Sequence, residues 1–140
     1  MAAEARLIVN IDVDDLPRAE AFYRLVFGLR PGRRFGYSGV ELLGLPAPIW
    51  LLLKDEDHPI APGNKRQRDY SRHWTPVHLD IAVDDLSEAT QRALAAGAVQ
   101  EGETRHADWG SIAMFADPFG HGFCLIQFTD AGYDAVADCA

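Results

Sequence analysis

His78 and Asp80 stand two apart in Val77-His78-Leu79-Asp80-Ile81-Ala82-Val83, where polar and apolar residues alternate. Period two places the imidazole and the carboxylate on one strand face, with Val77, Leu79, Ile81 and Val83 on the other. Such a pair can pass a proton or orient a ligand. It can also supply part of a two-His-one-carboxylate metal site, with His121 or His106 as third member. Asn10 and Asp12 fall beside Ile8 in Leu7-Ile8-Val9-Asn10-Ile11-Asp12-Val13, an equivalent alternation. Asn10, Asp12 and Asp80 would give a groove an acidic floor suited to a basic ligand, although solvated strand ends show the same pattern. Cys124, between Phe123 and Leu125, is either a small core residue or a nucleophile with His78 as its base. Trp50, Trp74 and Trp109 offer rings for stacking or cation–π contact, and each could equally belong to the core. Trp74 and Trp109 suit pocket rims or dimer contacts.

The elements that must position these residues come from an internal repeat. Ile11-Asp12-Val13-Asp14-Asp15-Leu16 recurs as Ile81-Ala82-Val83-Asp84-Asp85-Leu86, with five of six positions matching at an offset of 70. An alternating strand precedes each copy, and a helical stripe follows. The stripes are Leu16, Ala19, Phe22, Tyr23, Val26, Phe27 and Leu86, Ala89, Ala93, Leu94, Ala96. Asp15 and Asp85 are candidate N-caps, Asp85 with Glu88 in capping-box spacing, and Gly28 and Gly97 candidate C-terminal caps. Three strands then follow in each half: about 30–37, 40–43 and 49–53, then about 99–105, 111–115 and 123–128. Asp117-Pro118-Phe119-Gly120 marks a turn before the last of these.

The chain is therefore expected to be α+β. Two βαβββ modules in tandem would form a curved, barrel-like mixed sheet with the helices outside. Module one covers about 6–54, a linker 55–74, module two about 75–130 and a tail 131–140, all within one domain over 1–140. Leu7, Val9, Ile11, Val13 and their counterparts Val77, Leu79, Ile81, Val83 should pack under the helices. Ile8, Asn10, Asp12, His78 and Asp80 should point into the groove between modules. The linker is either a plain connector or a lid. Its Lys65, Arg66, Arg68 and Arg72 are either a solvated face or a reach toward a carboxylate ligand.

The 140 residues are 48% hydrophobic and 24% charged, ordinary for a globular protein. A formal net charge of −8 argues against nucleic acid as a partner. No apolar run approaches the roughly 18 residues that span a bilayer, so no membrane partner is expected. Asn10 and Asp12 interrupt the first apolar run, which does not resemble a secretory signal. Two cysteines, Cys124 and Cys139, do not make a disulfide framework, and an intracellular, cytoplasmic location is expected. Cys139 would lie in a frayed tail.

Asn10 to Tyr23 with Phe27-Gly28-Leu29, His78 to Leu86, and Asp117 to Leu125 carry a resemblance to the vicinal oxygen chelate superfamily, the glyoxalase, bleomycin-resistance and extradiol dioxygenase group. It spans about Leu7 to Phe128. The resemblance implies metal ligands on the first and last strand of each module. His78 stands at one such position and Cys124 where a Glu is usual. Ile8 and Trp50 stand at the other two and cannot ligate. The expectation is a small-molecule-binding protein without the family metal, using Asn10, Asp12, Trp50, Trp74, His78, Asp80, Trp109 and Cys124, with ring stacking and carboxylates holding the ligand. One alternative is a metal-dependent lyase, isomerase or dioxygenase with a divalent ion held first by His78. A second is a metal-free acid–base enzyme with His78 and Asp80 as its catalytic pair. Relatives of this kind often dimerise, so a homodimer is expected.

Overall fold

A computed structural model describes residues 4–138, which leaves Cys139 outside the described residues. The chain divides between Tyr70 and Ser71 into two compact units.

In the first unit, β1 (Val9–Val13), α1 (Leu16–Phe27), β2 (Arg30–Phe35), β3 (Gly39–Leu43) and β4 (Ile49–Leu53) follow in order. The sheet runs β1-β4-β3-β2, with β1 parallel to β4 and the other pairs antiparallel. Helix α1 begins where Asp15 Oδ1 accepts from the Arg18 amide at 3.1 Å and ends at Gly28, φ +67°. Every residue of its expected stripe is buried. Tyr23 meets Phe22 edge-on at 4.9 Å over a sheet face that buries Val40, Leu42, Ile49 and Leu51.

The second unit repeats the plan with β5 (Leu79–Ala82), α2 (Leu86–Ala96), β6 (Val99–Gln100), β7 (Arg105–Ala107), β8 (Gly110–Ala116) and β9 (Gly122–Phe128). Its sheet runs β5-β9-β8-β6, β7 also pairs with β8, and β5 is parallel to β9. Asp85 Oδ1 caps α2 at the Glu88 amide, 3.1 Å, and Gly97 ends it at φ +108°. Replacing Asp15 or Asp85 by Ala should lower stability by about 1 kcal/mol each, read from urea midpoints. The Asp117 carboxylate accepts from the amides of Phe119 and His121, both at 2.8 Å, and so fixes the turn into β9.

Three expectations need correction. Leu94 is 47% exposed, because it lies one residue past buried Ala93 and about 100° around the helix. The strand expected over 99–105 is two strands, β6 and β7, separated by Gly102 at φ +76°. Leu7 and Val77 are 69% and 83% exposed rather than under helices, since each precedes its strand.

Two carboxylates in the first unit are held by arginine forks. Arg33 donates to both oxygens of Glu41, and Arg34 to both of Glu20. These hydrogen bonds hold both carboxyls below their usual range, and Arg72 does the same for Glu101 in the second unit. Their stabilisation is complete above the ordinary carboxylate pKa of about 4.3 and is lost as pH falls through the lower folded values. The melting temperature should therefore drop on acidification below about pH 4, and less steeply in Glu41→Gln.

Candidate functional site

The sheet register explains which side chains meet. β5 runs beside β9 with Asp80 opposite Cys124, and β1 beside β4 with Asn10 opposite Trp50. Trp50 and Cys124 thus hold equivalent positions in the repeat. Their surroundings differ. Trp50 is buried, stacks on Phe35 at 4.6 Å between centroids, and has the Arg33 guanidinium 5.6 Å from its ring centroid. Asp12 receives a 2.7 Å hydrogen bond from Arg68 Nε. Of the acidic floor expected from Asn10, Asp12 and Asp80, Asp12 is thereby balanced by Arg68, and one of the basic residues of the 55–74 segment has found a carboxylate of its own chain. Arg68 also donates to the His58 carbonyl, and the Tyr70 hydroxyl donates to the Lys54 carbonyl. The part of this segment up to Tyr70 is tied to the first unit.

The second unit gathers the groups with chemistry. His78 Nε2 lies 3.2 Å from Asp80 Oδ1. His78, Asp80 and Cys124 each offer a ligating atom, and these atoms lie within 4.8 Å of one another. The Cys124 thiol is buried, and burial together with the Asp80 carboxylate pushes its pKa up to about 11. It is a neutral thiol near pH 7, poorly suited to nucleophilic attack. His106 and His121 are not in this cluster: His106 Nδ1 lies 2.7 Å from Ser111 Oγ, and the His121 ring meets His73 edge-on.

Around the cluster is a cleft lined by Trp74, His78, Phe115 and Cys124, together with Arg72 and Glu101. Arg72 forks onto Glu101 with two 2.8 Å hydrogen bonds. It also crosses the backbone at Gly122, where a Cβ would come within 2.7 Å of its Nη2. The enclosed part is only about 40 Å³, room for a protruding methyl, hydroxyl or carbonyl rather than a ring. A ring has a surface outside it. Trp74 is 66% exposed, and its centroid is 5.9 Å from that of His78.

Of the residues expected to bind ligand, the structure brings Trp74, His78, Asp80 and Cys124 together. Asn10, Asp12 and Trp50 belong to the first unit. Trp109 packs on Phe128 and Tyr133 instead of lining the cleft. Sequence reasoning places Arg72 only within a basic run and Glu101 nowhere, because their pairing spans 29 positions and leaves no local pattern in sequence.

The description "Glyoxalase-like domain" matches residues 8–126. The chain belongs to this family. An anthracycline biosynthesis protein, DauV, from Streptomyces sp. (strain C5) is 30% identical over 138 residues; the match covers 94% of this chain and 44% of DauV. The chain thus spans less than half the length of that relative. The fosfomycin resistance protein FosX from Listeria monocytogenes, complexed with Mn(II) and sulfate ion, superposes with a TM-score of 0.68 at 19% identity, covering 93% of this chain and 94% of that one. Lactoylglutathione lyase from Agrobacterium tumefaciens gives 0.61 at 21% identity, with coverages of 90% and 95%. At such identities the likeness shows the fold: α+β, with βαβββ modules, as in the vicinal oxygen chelate superfamily. No helix among the described residues is long and apolar enough to cross a membrane.

Proposed function

We propose that this glyoxalase-like domain binds a small organic molecule bearing a flat ring at the cleft beside His78, without needing a metal. The observation that carries this is the exposed Trp74 ring set against His78 at the mouth of a cleft too small for a ring. The ring of the ligand lies on Trp74, a polar substituent enters beside His78 and Asp80, and Arg72–Glu101 closes the far wall. Stacking on Trp74 supplies most of the affinity. The similarity to DauV makes an anthracycline the first probe. The domain acts as a homodimer, on the strength of the family resemblance, and in the cytoplasm, on its having two cysteines rather than a disulfide framework. The test is a tryptophan-fluorescence titration of chelator-treated protein with an anthracycline and, separately, with fosfomycin. Saturable quenching by the anthracycline alone is expected. No quenching, or quenching that requires added metal, would overturn the proposal. Turnover of the probe in the presence of chelator would instead assign proton transfer to His78 and Asp80.

The spacing of the three ligating atoms favours a second reading, a divalent ion. Two ligands on one ion at about 2.0–2.3 Å stand roughly 3–4 Å apart, which small side-chain rotations here could reach. His78, Asp80 and Cys124 would hold it, and the mixed nitrogen, oxygen and sulfur set suits zinc better than manganese. The ion would supply Lewis-acid polarisation of a bound oxygen. Binding would have to displace the Cys124 proton, which a thiol with its pKa pushed up to about 11 resists.

A further inference from the structure

Trp74 lies on irregular chain ahead of β5, with its ring 66% exposed. A ring so placed has freedom to lose when a ligand stacks on it, and that loss weakens binding unless the free protein has already ordered the ring. One side chain nearby reaches three separate places. Arg72 forks through Nε and Nη2 onto both oxygens of Glu101, just past β6, at 2.8 Å each. Its Nη1 donates to the Gly120 carbonyl at 3.5 Å, in the turn before β9, and to the His73 carbonyl. That last oxygen belongs to the peptide bond joining His73 to Trp74. The His73 amide donates to the same Gly120 carbonyl at 3.4 Å.

The guanidinium also has a seat. A Cβ on Gly122 of β9 would come 2.7 Å from Arg72 Nη2 and 3.2 Å from both Cζ and Nη1. All three atoms belong to the guanidinium, so the missing side chain is what admits it to the strand. Gly122 is not in the left-handed region, so its backbone does not itself call for glycine.

We infer that Arg72 is the positioning residue of the Trp74 platform. It fastens the peptide entering Trp74 to the end of β6 and to the turn before β9, with Gly122 as its seat, and so presents the ring already ordered. A lysine would keep the charge but not the fork, because an ammonium cannot serve Glu101, Gly120 and His73 from one rigid plane. The effect on affinity rests on the ring-binding reading above; the ordering of Trp74 does not.

The test is therefore read first without ligand, by NMR relaxation of the tryptophan indole N–H groups in the full chain. In the native sequence the Trp74 order parameter should be about 0.85, and in Arg72→Lys it should fall below about 0.6, with the Trp50 and Trp109 indoles unchanged. Gly122→Ala should do the same by unseating the guanidinium, and it should barely lower the melting temperature, since the obstacle is the end of a flexible side chain. It serves alone should Arg72→Lys misfold. Calorimetry with an anthracycline should then show about fivefold weaker binding in each variant, and no further loss when either is added to Trp74→Leu. A Trp74 indole already mobile in the native sequence, one that stays ordered in the folded variants, or a further loss of affinity in the Trp74→Leu background would overturn the inference. Failure of the anthracycline to bind the native protein would count against the proposed function, and the indole relaxation would still decide the role of Arg72.

Discussion

Replacing Trp74 by Leu should weaken binding of a flat aromatic probe by roughly thirtyfold, about 2 kcal/mol, without altering the melting temperature. The ring is 66% exposed, so little packing depends on it in the free protein. Its loss removes the stacking platform at the mouth, and the enclosed cleft of about 40 Å³ cannot take the ring in its place. His78→Ala should cost less, about fivefold, because it removes one oriented polar contact and leaves the platform. Fluorescence of the remaining tryptophans, or calorimetry, reads both. Unchanged affinity in Trp74→Leu, in a protein that melts normally, would mean that the ligand lies elsewhere.

The second large effect is on stability. Gly110 opens β8 at φ +147°, and a Cβ there would stand 2.1 Å from the Gln127 carbonyl oxygen and 2.9 Å from the Phe128 Cα. Both obstacles are backbone of the paired strand β9, which cannot swing aside as a side chain can. Gly110→Ala should therefore cost more than about 3 kcal/mol and lower the melting temperature by about 10 °C or more. Gly28→Ala is the control: its φ is +67°, but nothing lies within 4 Å of the added carbon. That substitution should cost only about 1 to 2 kcal/mol, the strain of a left-handed residue. Equal effects in the two variants would show that the close approach of β8 to β9 does not limit stability.

Much of the fold was legible because local rules and packing agree here. The repeated hexapeptide marks the same strand-to-helix junction in both units, both Asp caps donate no surprise, and all six stripe residues of α1 are buried. Leu94 was misread because in α2 the apolar stripe is narrow and made largely of alanine, so one leucine off its edge looks like part of it. The site was legible only where chemistry and strand period coincide. His78 and Asp80 share a face by period two, and Cys124 holds a last-strand position in the family pattern. That the thiol faces Asp80 depends on the parallel register of β5 and β9, a long-range choice that no local sequence states. The partners of Asp12 and Glu101, Arg68 at 56 positions and Arg72 at 29, come from the same irregular segment. Its charges looked like a solvated run because their pairing is tertiary.

Binding at His78 without metal is tested most directly by mapping amide and indole NMR shifts as an anthracycline is added to chelator-treated protein. The largest changes should fall on the Trp74 indole N–H and on the amides of His78, Asp80 and Cys124. Changes confined to the first unit, or changes that appear only once zinc is supplied, would contradict it.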